Sequence, residues 1–258
     1  MLDRILIPLV AALLLELLAF GYFLIKKRQD IADVLWGPAI TTSIIASTLV
    51  TTPRSNASLL LAILAFVWSS RLSLHIGLRR KGEGEDKRYI ELSKTWGKYF
   101  IVRSLLQTFL LQGILAFLVS FSIVSFNLRT VGDYTLIPIL IGVSIWAFGL
   151  VFEAIADSQL KNFIKDPQNK GKIMDRGLWR YSRHPNYFGE IVLWWGIFII
   201  TLSTMDLWYL KIIGPLTITV LIIFVSGIPL LEKRYQDNAE YQKYKLRTSS
   251  LFPLPPKR

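Results

Sequence analysis

An all-α fold, a polytopic bundle of seven transmembrane helices, is predicted by three features of the 258-residue sequence. First, 52% of the residues are hydrophobic and 19% charged, against roughly 25% charged in a soluble domain. Second, the apolar residues gather into seven runs, and a helix needs about 20 such residues to cross a bilayer core. Third, the basic residues alternate from one side of those runs to the other.

The runs cover 5–25, 34–52, 57–78, 101–121, 135–158, 188–204 and 211–231. The first follows Arg4 and stops at Lys26-Lys27-Arg28. It is too long for a signal-peptide core and lacks a small-x-small cleavage pattern, so it is expected to be retained. The sixth is the shortest, bounded by Thr204-Met205-Asp206. The connections between runs 1–2, 3–4 and 5–6 hold three, seven and seven Lys and Arg, and the tail after Leu231 holds seven. These 24 face four on the other side (Arg4, Arg54, Arg129 and Lys211), with Arg71 and Arg103 inside or at the ends of runs. The positive-inside rule then places the N-terminus outside and the C-terminus in the cytoplasm. A net charge of +12 would otherwise suggest nucleic acid. Sorted this way it is a signature of topology, and no nucleic-acid partner is expected. The absence of cysteine excludes disulfide frameworks, thiolate metal sites and cysteine nucleophiles. So much apolar surface excludes disorder. With no repeat, low-complexity tract or linker, residues 1–258 read as a single membrane domain.

Polar groups inside such runs are costly and usually face a bundle interior or a wet cavity. Glu16 lies near the middle of run 1, either as a single paired or protonated carboxyl or as part of a site. Asp33 opens run 2, where it suits a helix N-cap or a functional role. Arg71, His75 and Arg79 recur at i, i+4 and i+8, which puts them on one helix face. Snorkelling explains Arg79 and Arg80 but suits the deeper Arg71 and His75 poorly. Two cations and an imidazole on one face suit an anionic cofactor or a polarised carbonyl. Run 5 carries Glu153 and Asp157, again i and i+4, read either as a solvated helix end or as a site; an acid at the negative end of the helix dipole weakens the first reading. The cytoplasmic half offers too few ligands for a metal centre, and no metal is expected. Gln107 and Gln112 in run 4 are expected to bond between helices.

The densest segment is Gly177 to Glu190, Gly-Leu-Trp-Arg-Tyr-Ser-Arg-His-Pro-Asn-Tyr-Phe-Gly-Glu. Pro185 disfavours helix at His184 and suits a helix start. Backbone N–H groups there, beside Arg180, Arg183 and His184, are suited to an anion such as phosphate. Trp179, Tyr181 and Tyr187 offer faces for a ring. An interfacial aromatic and basic belt is the plainer alternative. No Gly-rich phosphate fingerprint, nucleophile elbow or zinc motif is present.

Gly177-Leu178-Trp179-Arg180 and the block from Arg183 to Glu190 resemble the C-terminal signature of the steroid 5-alpha-reductase-like membrane proteins. In particular they resemble the bacterial branch long labelled a domain of unknown function. The resemblance extends to Asp33–Gly37, Trp68 to Leu72, Glu153–Leu160, Tyr241 to Tyr244 and Phe252-Pro253. It therefore covers nearly the whole chain, with the reductase-like portion at about 101–258. It implies a seven-helix bundle with a cavity open to the cytoplasm, NADPH as cofactor, and hydride transfer to a membrane-dissolved lipid enone. By position it implies that Asp157, Asn186 and Glu190 hold the cofactor, with Arg79 and Arg88 near its phosphates. Tyr89, Trp179, Arg183, His184 and Tyr187 complete the expected cofactor set. Glu153 stands where the steroid enzymes have asparagine, and His184 where they have a small residue. Those enzymes polarise the substrate ketone with a glutamate in span 2 and a tyrosine on span 3. Here span 2 has no glutamate, and Ile76, next to His75, takes the tyrosine's place.

The developing enolate oxygen needs a donor. The candidates are His75 and Arg71, with Asp33 and Glu16 from neighbouring spans; His75 is expected to be the acid, supported by Asp33. Membrane methyltransferases using S-adenosylmethionine carry a version of the same Arg-His-Pro block and a glutamate after the last span, matched by Glu232. That is the alternative reading. A transporter finds no inverted repeat or pair of broken helices here. The expected location is a bacterial inner membrane.

Overall fold

The computed structural model describes residues 2–128 and 134–257; Arg129 and Arg258, both used in the charge count, lie outside them. The α-helices are α1 (Asp3–Lys26), α2 (Ile31–Val50), α3 (Asn56–Arg80), α4 (Lys87–Trp96), α5 (Phe100–Arg103), α6 (Leu111–Phe126), α7 (Leu136–Lys165), α8 (Pro185–Thr201), α9 (Trp208–Lys211), α10 (Ile213–Val220), α11 (Ile228–Arg234) and α12 (Ala239–Arg247). A π-helical stretch, Ser104–Leu110, joins α5 to α6, and another, Leu221–Val225, follows α10.

Among the described residues, six helical stretches are long and apolar enough to cross a membrane: Asp3–Lys26, Ile31–Val50, Asn56–Arg80, Lys87–Phe126, Leu136–Lys165 and Trp208–Arg234. The chain is an integral membrane protein. The sixth expected run forms α8, which at 17 residues is shorter than these six. It begins at Pro185, as the proline's fixed φ favours. α7 runs to Lys165 rather than ending near 158, so Glu153 and Asp157 lie in a helix interior and not at a solvated end.

The contacts divide the chain into two compact units. The first holds residues 1–135 and 201–214. In it α1 packs on α2 and α6, and α2 packs on α3 and α6. Pro38 has no N–H for the Val34 carbonyl one turn earlier. The Ser73 hydroxyl of α3 donates to that carbonyl at 2.9 Å, so the neighbouring helix satisfies the group the proline released. Small polar side chains fasten the bundle as expected in lipid. Ser43 and Ser120 hydroxyls lie 2.8 Å apart, and Asn127 accepts from Ser58 and donates to Ser47 and Thr48. A hydrophobic cluster of Ala19, Phe23, Ala32 and Phe109 lies alongside. Lys211, counted with the loops, is instead fully buried. Its ammonium donates to the carbonyls of Thr201 and Thr204 at 2.9 and 2.6 Å and to the Thr204 hydroxyl at 2.8 Å.

The second unit holds residues 136–200 and 215–258. Here α7 and α8 run against each other through two glycine pairs. A Cβ on Gly142 would lie 2.6 Å from the Gly196 carbonyl oxygen, and one on Gly149 2.7 Å from that of Gly189. The pairs are seven residues apart on both helices, so the two backbones touch twice on one face. That approach excludes every larger side chain and sets the acids of α7 beside the first turns of α8.

Candidate functional site

In the first unit, Asp33 lies inside the first turn of α2, and Asp30 occupies the cap position without a side-chain cap bond. Asp33 is therefore not the helix cap. Its carboxylate accepts from the Arg88 guanidinium at 2.6 Å and the Tyr89 hydroxyl at 2.9 Å. Arg88 also reaches Asp86, which caps α4 by accepting from the Arg88 backbone N–H at 2.9 Å and pairs with Arg80. Arg28 grips Asp30 with two bonds of 2.9 and 2.8 Å and donates to the Glu83 carbonyl at 2.9 Å. The first of these, joined by the carboxylate's charge, raises the Arg28 pKa. Glu85 accepts from the Gln29 backbone N–H at 2.7 Å. These bonds tie the connection after α3 to the turn between α1 and α2.

Of the α3 stripe, Arg71 and His75 are half-buried and Arg79 is exposed at the helix end, where snorkelling applies. Glu16 is fully buried. Gln112 donates to its Oε1 at 2.9 Å and to the Ala32 carbonyl at 2.7 Å, which bears out the interhelical role expected for that glutamine.

In the second unit the α7 acids are buried, Glu153 at 2% and Asp157 at 7% exposure, and so is Glu190 of α8 at 8%. Asn186 Nδ2 donates to Asp157 Oδ1 at 3.2 Å. The i, i+4 pair of α7 and the i, i+4 pair Asn186–Glu190 thus belong to two helices whose backbones meet at Gly149 and Gly189. A Cβ on Gly189 would lie 2.7 Å from the Glu153 backbone nitrogen. Upstream, Gly177 has φ +57°, a conformation that favours glycine, and turns tightly against Gln159. Gln159 accepts from the Leu178 backbone N–H at 2.9 Å, and Trp179 Nε1 donates to the Ala156 carbonyl at 3.0 Å. The chain is thereby fastened to the end of α7 before it enters α8.

Arg183 and His184 are buried at 7% and 3% exposure. Arg183 Nε and Nη2 donate to Glu232 Oε1 at 3.0 and 2.5 Å, and Nη1 donates to the carbonyls of Lys245 and Thr248. Lys245 meets the other Glu232 oxygen at 2.6 Å. The His184 ring stacks on Tyr187, centroids 5.6 Å apart at 18°. Its Nε2 lies 3.5 Å from Glu232 Oε1, within ion-pair range but without a hydrogen bond. Burial lowers the His184 pKa, opposed by the nearby Glu232 carboxylate. Burial, reinforced by the same carboxylate, pushes the Tyr241 hydroxyl up to about 12, and burial, reinforced by Tyr241, raises that of Tyr244. Both tyrosines are therefore protonated at neutral pH, and Tyr244 donates to the carbonyls of Trp179 and Ser182.

The expected residues thus fall into two groups, each described within its own unit. Arg88 and Tyr89 both donate to Asp33, and Asn186 donates to Asp157. Three things escaped the sequence reading. The glycine pairs were legible as heptad-spaced Gly142/Gly149 and Gly189/Gly196. Tyr244 was legible only as part of a Tyr-x-x-Tyr pattern. The Glu232 partnership with Arg183 spans 49 positions, and no local signal carries it.

A polytopic helical membrane protein with buried carboxyl groups and a half-buried amide beside an Arg-His-Pro helix start is the class these features define. The model of the family described as a protein of unknown function (DUF1295) matches residues 19–248. The chain belongs to this family, among the steroid 5-alpha-reductase-like proteins. It is 30% identical over 115 residues to 3-oxo-5-alpha-steroid 4-dehydrogenase 1 of Bos taurus, covering 38% of this chain and 45% of that protein. It is 39% identical over 57 residues to the Mus musculus protein of the same name, 22% of each chain. A probable O-methyltransferase of Ustilaginoidea virens is 48% identical over 46 residues, 18% of this chain and 16% of that protein. The match thus spans less than half the length of each of these relatives. No solved structure matches.

Proposed function

We propose that the protein is a membrane-embedded, NADPH-dependent reductase that adds hydride to the C=C bond of a conjugated lipid enone. The single observation that carries this reading is the group of buried carboxyls Glu153, Asp157 and Glu190, with the half-buried amide of Asn186, on α7 and α8. Carboxylates and an amide fit the donors of a nicotinamide dinucleotide, its ribose hydroxyls and carboxamide N–H groups. Trp179, His184 and Tyr187 offer ring faces in the same unit. The family resemblance assigns Arg79 and Arg88 to the cofactor phosphates, which guanidinium groups suit, and counts Tyr89 in the wider cofactor set. NADPH supplies a hydride when bound.

The protein's own part is to receive the substrate oxygen and give it a proton. His75 on α3 holds that proton, and Arg71, one turn away, offers a second donor to the developing enolate. Asp33, fixed by Arg88 and Tyr89, holds the neighbouring connection in place, and Glu16 is a further polar group in the span bundle. Seven spans, with α8 the shortest, support an N-terminus outside and a C-terminus in the cytoplasm of a bacterial inner membrane. On this reading the partners are the lipid substrate and the bilayer itself, with no nucleic acid.

The competing reading is an S-adenosylmethionine-dependent methyltransferase acting on a lipid or isoprenyl substrate. Two observations favour it, the short match to an O-methyltransferase and Glu232 beside the Arg-His-Pro block. Titration of the purified protein with each cofactor, following thermal stability, separates the two. A ligand at 100 times its dissociation constant stabilises by about 2.7 kcal/mol. The expected result is a shift with NADPH. A shift with S-adenosylmethionine and none with NADPH replaces the reductase by the methyltransferase.

A further inference from the structure

Arg183 stands in the cationic block to which an anionic cofactor would be assigned, yet its bonds run elsewhere. Four of its five side-chain N–H groups donate within the protein, two to Glu232 and two to tail carbonyls. Its backbone N–H donates to the Ser249 carbonyl at 2.9 Å. The neighbouring Ser182 hydroxyl donates to Leu251 O at 2.7 Å, and the Leu254 N–H donates to Tyr181 O at 3.0 Å. Tyr244 of α12 points its hydroxyl at the carbonyls of Trp179 and Ser182. The ring of Phe252 packs edge-on against Phe188, 5.9 Å away. The tail from Ala239 to Leu254 therefore embraces residues 179–183, the stretch that sets where α8 begins.

We infer that this tail is a working part of the cofactor site, with Arg183 and Tyr244 as positioning residues that fix the first turn of α8. His184 precedes that turn, Asn186 and Tyr187 lie in it, and Glu190 lies in the next. Arg183 does not itself touch the cofactor. Its charge is met by Glu232, and only 7% of the residue is exposed. Displacing a supporting turn by about 1 Å can cost a site on the order of a hundredfold, so a strap on residues 179–183 acts on ligand binding at a distance. The inference rests on the cofactor reading above.

The test uses the full-length protein in detergent with three variants, Tyr244→Phe, Arg183→Lys and the double. Tyr244→Phe deletes the hydroxyl bonds and keeps every charge. Two readouts are taken: the NADPH dissociation constant, and the rate of trypsin cleavage at Lys243, Lys245 and Arg247. Each single variant is expected to weaken NADPH at least tenfold and to speed tail cleavage. The double is expected to be little worse than the worse single, because both act through one strap. By reciprocity, NADPH should slow tail cleavage in the unaltered protein. Unchanged affinity in Tyr244→Phe overturns the inference, whatever the tail does. So does multiplication of the two single effects, the pattern of a direct Arg183 contact. If S-adenosylmethionine binds and NADPH does not, the reductase reading falls alone, and the same comparison with S-adenosylmethionine decides the inference. Binding of neither overturns both.

Discussion

His184 lies between the Tyr187 ring and the Glu232 carboxylate with 4% of its side chain exposed. Burial lowers its pKa in the fold below the ordinary value near 6.5, so the unfolded chain takes up its proton first. Stability from this group is complete above about pH 6.5 and is lost as pH falls from there through the lowered value. Thermal midpoints measured from pH 8 down to pH 5 should decline below about 6.5, and His184→Gln should flatten that decline. An equal slope in the variant would assign the titration elsewhere. At this scale the sequence marked the right residues more often than it named their partners. Asp33 was legible as a polar group at a span entrance. Its bonds to Arg88 and Tyr89 cross 55 and 56 positions and depend on tertiary folding. Lys211 read as a loop cation because composition cannot distinguish a solvated ammonium from one held by three oxygens of Thr201 and Thr204.

The α7–α8 pair rests on backbone contact. A methyl group on Gly189 would meet Gly149 O and the Glu153 nitrogen at 2.7 Å, both rigid backbone atoms. Gly189→Ala must push the helices apart, at a cost of about 1–3 kcal/mol by the usual scale of overpacking. The same shift moves Asn186 and Glu190 relative to Glu153 and Asp157. The expected outcome is a lower melting temperature together with weaker cofactor binding. Gly21→Ala on α1, which would meet nothing within 4 Å, is the control and should be neutral or slightly stabilising. An unaffected Gly189→Ala would refute the tight pair. The apolar runs located α1 and α7 because span length is fixed by the bilayer. They misplaced the end of α7 because Lys161 and Lys165 were read as loop charges, whereas a helix can continue past the membrane with its basic side chains in water. The first turn of α8 was legible from Pro185.

Over the whole chain, the charge count and the six long helices agree on a membrane protein. What decides sidedness is whether α8 crosses. If it does, the connections after α1, α3 and α7 and the tail share one side; without it, the tail moves to the other. The chain lacks cysteine, so single reporters can be placed freely. Cysteines at Lys94, Lys170 and Lys243 should react with a membrane-impermeant maleimide only after the cells are opened, and one at Thr52 in intact cells. Labelling of the Lys243 position in intact cells would remove α8 from the spans. The family resemblance was legible from motifs spread along the chain. The tail's hold on residues 179–183 was not, because it is made largely by backbone carbonyls that no side-chain pattern announces.

The first unit draws residues 1–135 and then, after 65 residues given to the second, residues 201–214. This interleaving has a consequence for biosynthesis. When residue 135 has been made, the Ser122 hydroxyl still lacks the Lys211 carbonyl and the Thr135 N–H still lacks Ser203. The N-terminal bundle is thus born incomplete. It is finished only after α7 and α8 have left the ribosome, so the order of insertion, as well as the final contacts, is written into the path of the chain.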